Sequence, residues 1–85
     1  MKSFTYTIKD ELGIHARPAG QVVSEAKKYN SIITIDAGEK KANATRLMAV
    51  MALGVKCGQT VTVTAEGADE DAAIEGIQQF FETTL

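Results

Sequence analysis

Residues 3–29 read SFTYTIKDELGIHARPAGQVVSEAKKY, and the period of the apolar residues changes across one break. Before it, Phe4, Tyr6 and Ile8 alternate with Ser3, Thr5 and Thr7, the period-two pattern of a half-buried strand. Lys9-Asp10-Glu11-Leu12-Gly13 is a polar interruption ending in glycine. After it, from Ala16 to about Tyr29, apolar residues fall at Ala19, Val22, Val23, Ala26 and Tyr29, spaced by three and four as on an amphipathic helix. Pro18 lies in the first turn of that helix, where its missing N–H costs nothing.

The same two periods recur downstream. Ser31 to Ile35 is rich in β-branched residues and reads as a strand, and Asp36-Ala37-Gly38-Glu39 as a hairpin turn into a short strand near Lys40 to Ala44. A short helix is predicted from about Arg46 to Leu53, with Thr45 or Asn43 as N-cap and Gly54 as its stop. Gln59 to Glu66 alternates Val61 and Val63 with Thr60, Thr62 and Thr64, another strand. Beyond Gly67, Asp69 can cap a final helix carrying Ile74, Ile77, Phe80 and Phe81 on one side, with Glu70 and Asp71 as first-turn carboxylates favoured by the helix dipole. The order is β-α-β-β-α-β-α. It predicts an α+β fold in which three helices cover one face of a four-stranded, mainly antiparallel sheet.

The 85 residues give room for one core, so a single domain over 1–85 is expected. A net charge of −2 excludes the overall basic field that draws nucleic acid. No apolar run approaches the roughly 20 residues that span a bilayer. Met1-Lys2-Ser3-Phe4 lacks the apolar core of a secretory leader, and the single cysteine, Cys57, cannot form an internal disulfide. A cytoplasmic location is expected, with a monomer as the default state.

His15 is the only histidine and Pro18 the only proline, both within Gly13-Ile14-His15-Ala16-Arg17-Pro18-Ala19-Gly20. Four roles compete for His15. As a metal ligand it lacks companions, since zinc and its relatives want three or four ligands and the chain offers one histidine and one thiol; no metal or cofactor is expected. As a general base it lacks a recognisable nucleophile elbow or triad. It can be a surface residue at a helix start with no chemistry, or it can accept a phosphoryl group. Three physical arguments favour the last role. The positive end of a helix disfavours imidazolium and keeps the nucleophilic neutral form. First-turn N–H groups can meet phosphate charge. The Arg17 guanidinium can clamp phosphate oxygens in a fork that lysine cannot match.

Gly13-Ile14-His15-Ala16-Arg17-Pro18-Ala19 resembles the active-site motif of the HPr family, the histidine-containing phosphocarriers of the bacterial sugar phosphotransferase system. The similarity continues through Leu47-Met48-Ala49-Val50-Met51-Ala52-Leu53-Gly54 and Glu66-Gly67-Ala68-Asp69-Glu70, along nearly the whole chain. The resemblance implies an open-faced β-sandwich. It implies that His15 accepts a phosphoryl group at Nδ1 from phosphorylated enzyme I and passes it to IIA domains of sugar permeases, with no turnover of its own. Arg17, with the N–H groups of Ala16 and Arg17, is then the phosphate partner.

Helix geometry points separately to a binding surface. Leu47, Met48, Val50, Met51 and Leu53 occupy an arc of roughly 220° at about 100° per residue, whereas a packed helix needs a stripe only somewhat wider than about 100°. Met48 and Met51 are therefore expected at the surface, and methionine is flexible and polarizable enough to fit several partners. In the family this helix docks partners together with parts of the first helix, here Gly20, Val23, Ser24 and Lys27, beside Arg46, Leu47, Met48 and Met51. Many Gram-positive relatives carry a regulatory serine where this chain has Arg46, which no serine kinase can modify. Thr45 offers a hydroxyl one residue earlier, but about 100° away around a helix. Three classes of function remain open from sequence: a phosphocarrier, a regulatory binding module of the same fold that relies on its docking face rather than on His15, and a small ligand-binding domain, which would need a deep apolar pocket.

Overall fold

The computed structural model describes residues 1–9, 11 and 16–85. Its elements are β1 (Lys2–Thr7), α1 (Ala16–Ala26), β2 (Ile32–Asp36), β3 (Lys41–Asn43), α2 (Leu47–Ala52), β4 (Thr60–Glu66) and α3 (Glu70–Thr84). The order is the one read from the sequence, and every strand pair in the sheet is antiparallel. The strands lie β1-β4-β2-β3, so the last strand in the chain is inserted beside the first.

Register explains which face is covered. Phe4 pairs with Val63, Val63 with Ile35, and Ile35 with Ala42, which lays one apolar row across all four strands. The next positions along, Thr5, Thr62, Asp36 and Lys41, form a polar row on the opposite face. Period two thus sorts Val61, Val63, Ala65, Ile33 and Ile35 into the core and the threonines into water. Against the apolar face, α1 buries Ala19, Val22, Val23 and Ala26, α3 buries Ala73, Ile77 and Phe81, and α2 buries Val50. Phe81 is the largest wholly buried side chain. Its ring meets Phe4 edge-on at 5.8 Å and Tyr6 at 5.7 Å, the T-shaped arrangement that the ring quadrupoles favour.

The ends of elements depart from expectation in three places. α1 stops at Ala26 rather than near Tyr29, because the winding tightens there: Lys28 N–H donates to Glu25 O at 3.2 Å and Tyr29 N–H to Ala26 O at 3.3 Å. The first residue before α2 is Arg46 rather than Asn43 or Thr45, and its side chain makes no cap. Asn43 is occupied one step earlier, its Oδ1 accepting the Thr45 N–H at 2.9 Å and the Thr45 hydroxyl at 2.6 Å. Asp69 does stand at the cap position of α3, but its carboxylate turns away from that helix. One oxygen accepts the Ser31 hydroxyl at 2.5 Å and the other the Asn30 N–H at 2.8 Å, tying the β4–α3 junction to the start of β2. These bonds hold the Asp69 carboxyl below the ordinary aspartate range, the Ser31 bond contributing most and Asn30 next.

Gly54 ends α2 as expected, in the left-handed region at φ 63°. Gly76 is required for a different reason. A Cβ there would sit 1.9 Å from the Tyr29 hydroxyl, so the missing side chain on α3 is the seat for the tyrosine that follows α1.

Candidate functional site

α1 begins at Ala16, directly after the histidine in the chain, and its first-turn N–H groups at Ala16 and Arg17 have no partner four residues back within the helix. Pro18 sits in the same turn and is buried, so the ring packs inward while contributing no donor to satisfy. Arg17 is exposed and extends from the positive end of α1. A helix start of this kind stabilises an anion by backbone donors and dipole together, and the guanidinium adds a forked donor pair. His15 lies outside the described residues.

α1 packs against α2, so the helices of residues 16–26 and 47–52 are neighbours in the fold. On α2, Met48 is 78%, Leu47 41% and Met51 38% exposed, while Val50 is fully buried. The apolar arc is therefore wider than the core can cover, and methionine and leucine face water, as its width predicts. On α1, Ser24 is exposed and Gly20 half-buried, with open space where a Cβ would point. Lys27 is exposed just beyond the helix, its N–H still donating to Val23 O at 3.1 Å. Val23 corrects an expectation. At 8% exposed it packs in the core, and the three-and-four stripe with Ala19, Val22 and Ala26 overrides its placement on the docking face.

Arg46 is exposed and precedes Leu47 and Met48. Thr45 is half-buried with its hydroxyl given to Asn43. Cys57 is exposed in the loop before β4, its Sγ 3.8 Å from Lys9 O. Among the described residues no three His, Cys, Asp or Glu side chains converge to hold a metal ion, and no helix is long and apolar enough to cross a membrane. Sequence reasoning missed the bond from Ser31 to Asp69; 38 residues separate the partners, and no local pattern signals it.

Comparison with known proteins gives consistent results. The family model described as the PTS HPr component phosphorylation site matches residues 2–83. The phosphocarrier protein HPr of Mycoplasma capricolum is 46% identical over 79 residues, covering 93% of this chain and 89% of the relative. A solved mycoplasma histidine-containing phosphocarrier superposes with a TM-score of 0.94 at 43% identity, over 98% of this chain and 94% of that one. The crystal structure of an HPr from Thermoanaerobacter tengcongensis does so with a TM-score of 0.92 at 42% identity, over 98% and 93%.

Proposed function

The chain belongs to the HPr family of phosphotransferase-system phosphocarriers, and on that premise we propose that His15 is the residue that carries the phosphoryl group, received from phosphorylated enzyme I and delivered to IIA domains of sugar permeases. The observation that carries this reading is the start of α1, which follows His15 in the chain with Ala16 and Arg17 as its first two residues.

In the transfer, the Nδ1 lone pair of neutral His15 forms the new N–P bond. The bond from phosphorus to the donor's side chain breaks at the same time, and its electron pair stays on the donor. The added charge is met by the Ala16 and Arg17 N–H groups and by the Arg17 guanidinium. Arg17 is exposed, so solvent screens its charge and it stabilises the phosphorylated form only moderately. That suits a relay, which must release what it accepts. The reverse sequence on an IIA domain regenerates neutral His15, and the protein is a carrier without turnover of its own, working in the cytoplasm.

Docking is assigned to Gly20, Ser24 and Lys27 from α1 and its end, and to Arg46, Leu47, Met48 and Met51 around α2. Arg46 also bears on control. It offers no hydroxyl at the position where many relatives carry a regulatory serine, and the Thr45 hydroxyl beside it is engaged by Asn43. The protein is accordingly an always-enabled carrier without serine-linked regulation.

The test is loading. The protein is mixed with phosphoenolpyruvate, magnesium and a bacterial enzyme I, and its intact mass is read at neutral and acid pH. One phosphoryl group that is acid-labile, and absent from a folded His15→Ala variant, supports the reading. No gain on a folded sample with several enzymes I refutes it.

A further inference from the structure

All the sulfur of this chain lies at the surface. Its three methionines, Met1, Met48 and Met51, and its single cysteine, Cys57, are exposed. The buried apolar residues, among those described, are Ala, Val, Ile, Phe and Leu. Two of the three methionines stand on α2, three residues apart and therefore neighbours on one side of the helix. Resting on the phosphocarrier reading, we propose that Met48 and Met51 are a reversible oxidation site, at which a peroxide converts the thioethers to sulfoxides and closes α2 to phosphorylated enzyme I.

The chemistry needs only an accessible sulfur and hydrogen peroxide. The Sδ lone pair attacks one peroxide oxygen, the S–O bond forms as the O–O bond breaks, and the departing oxygen takes the remaining proton and leaves as water. Sulfur gives up two electrons and the peroxide accepts them. Repair draws on a dithiol, which becomes a disulfide while the sulfoxide oxygen leaves as water. At 78% exposed, Met48 reacts before Met51, which is 38% exposed.

Packing directs the consequence to docking rather than to folding. α2 is held by Val50, which is fully buried, with Ala49 and Leu53 packed partly against the core. An oxygen on Met48 or Met51 therefore stays in water while the protein is free, and the fold loses little. On docking, the same oxygen is carried into an apolar contact, where a polar group without a partner is costly. Met1 provides a contrast within the chain. It shares a groove with Ile32, Thr34 and Thr64 on the uncovered face of the sheet, so its oxidation leaves docking alone.

The experiment uses the whole protein with Cys57→Ser, which removes the competing thiol at an exposed loop position. It is treated with hydrogen peroxide, freed of it, mapped by peptide mass, melted, and assayed for loading by phosphorylated enzyme I. Oxygen is expected on Met48 first and then on Met51, with Tm within about 4 °C of the untreated protein. The KM for the carrier is expected to rise about fivefold or more, and stereospecific methionine sulfoxide reductases with dithiothreitol to reverse the rise. In Met48→Leu/Met51→Leu, where only Met1 can be oxidised, the treated and untreated KM values are expected to agree, whatever their level. An unchanged KM with both α2 methionines oxidised overturns the inference alone. So does an equal rise in the double leucine variant, a loss of the fold on oxidation, or a rise that the reductases do not reverse. An untreated, folded protein that enzyme I does not load overturns the phosphocarrier reading and this inference with it.

Discussion

Asp69 accepts the Ser31 hydroxyl at 2.5 Å across 38 residues of chain. This bond ties the junction between β4 and α3 to the start of β2. β4 enters the sheet between β1 and β2, and the loop that leaves it at Gly67 passes so close to Ser31 that a Cβ there would stand 2.8 Å from the Ser31 Cα. The Asp69 bonds pin that crossing. Ser31 is buried, so its hydroxyl needs the partner it has.

Ser31→Ala removes one net hydrogen bond of about 1 kcal/mol. A fall in Tm of about 4–8 °C is therefore expected in calorimetry, and an unchanged Tm would show that the bond contributes nothing.

The same carboxylate sets a pH dependence. Its value in the fold lies below the ordinary 3.8, so the stability it supplies is complete above that pH and lost as pH falls through the depressed value. Urea midpoints taken from pH 5 down to pH 2 should decline for the parent. The decline should be shallower for Asp69→Asn, which starts lower and has no carboxylate to protonate. Parallel curves for the two proteins would exclude Asp69 as a source of acid sensitivity.

Gly76 and Tyr29 form a pair whose coupling has a predicted sign. On propensity alone Gly76→Ala inside α3 should stabilise by about 1 kcal/mol, but the new methyl collides with the Tyr29 hydroxyl. Destabilisation is expected in the parent background and stabilisation in a Tyr29→Ala background, measured as a double-mutant cycle. The same sign in both backgrounds would mean that the ring moves aside freely.

Met48 separates binding from folding. At 78% exposed it contributes little to the core, so Met48→Ala should leave stability within about 0.5 kcal/mol of the parent. The carrier's KM with enzyme I should rise, because an apolar anchor is lost. A loading rate unchanged at sub-saturating carrier would remove Met48 from the docking face.

The elements were legible in the sequence because their signals are local. Phe4 and Tyr6 alternate with threonines, Ala19, Val22, Val23 and Ala26 recur at three and four, and Gly54 marks a stop. The exposure of Met48 and Met51 followed from the same geometry, as an arc too wide to bury. The order of strands was not legible, since the insertion of β4 beside β1 rests on pairings such as Phe4 with Val63, almost 60 residues apart. Asp69 carried a misleading local signal: its place before α3 reads as a cap, while its bonds run to Asn30 and Ser31. Val23 carried two signals at once, and burial decided between them. Arg46 holds the cap position, while Asn43 and Thr45, the caps expected from sequence, bond to each other.

The most direct test of the account follows the phosphoryl group onward. Protein loaded by enzyme I is freed of phosphoenolpyruvate and enzyme I, mixed with an IIA domain, and both intact masses are followed in time. The account predicts that the carrier loses one phosphoryl group as the IIA domain gains one, with Arg17→Ala slowing the exchange. A phosphoryl group that stays on the carrier, or one that survives acid as a hydroxyl ester would, contradicts a relay through His15.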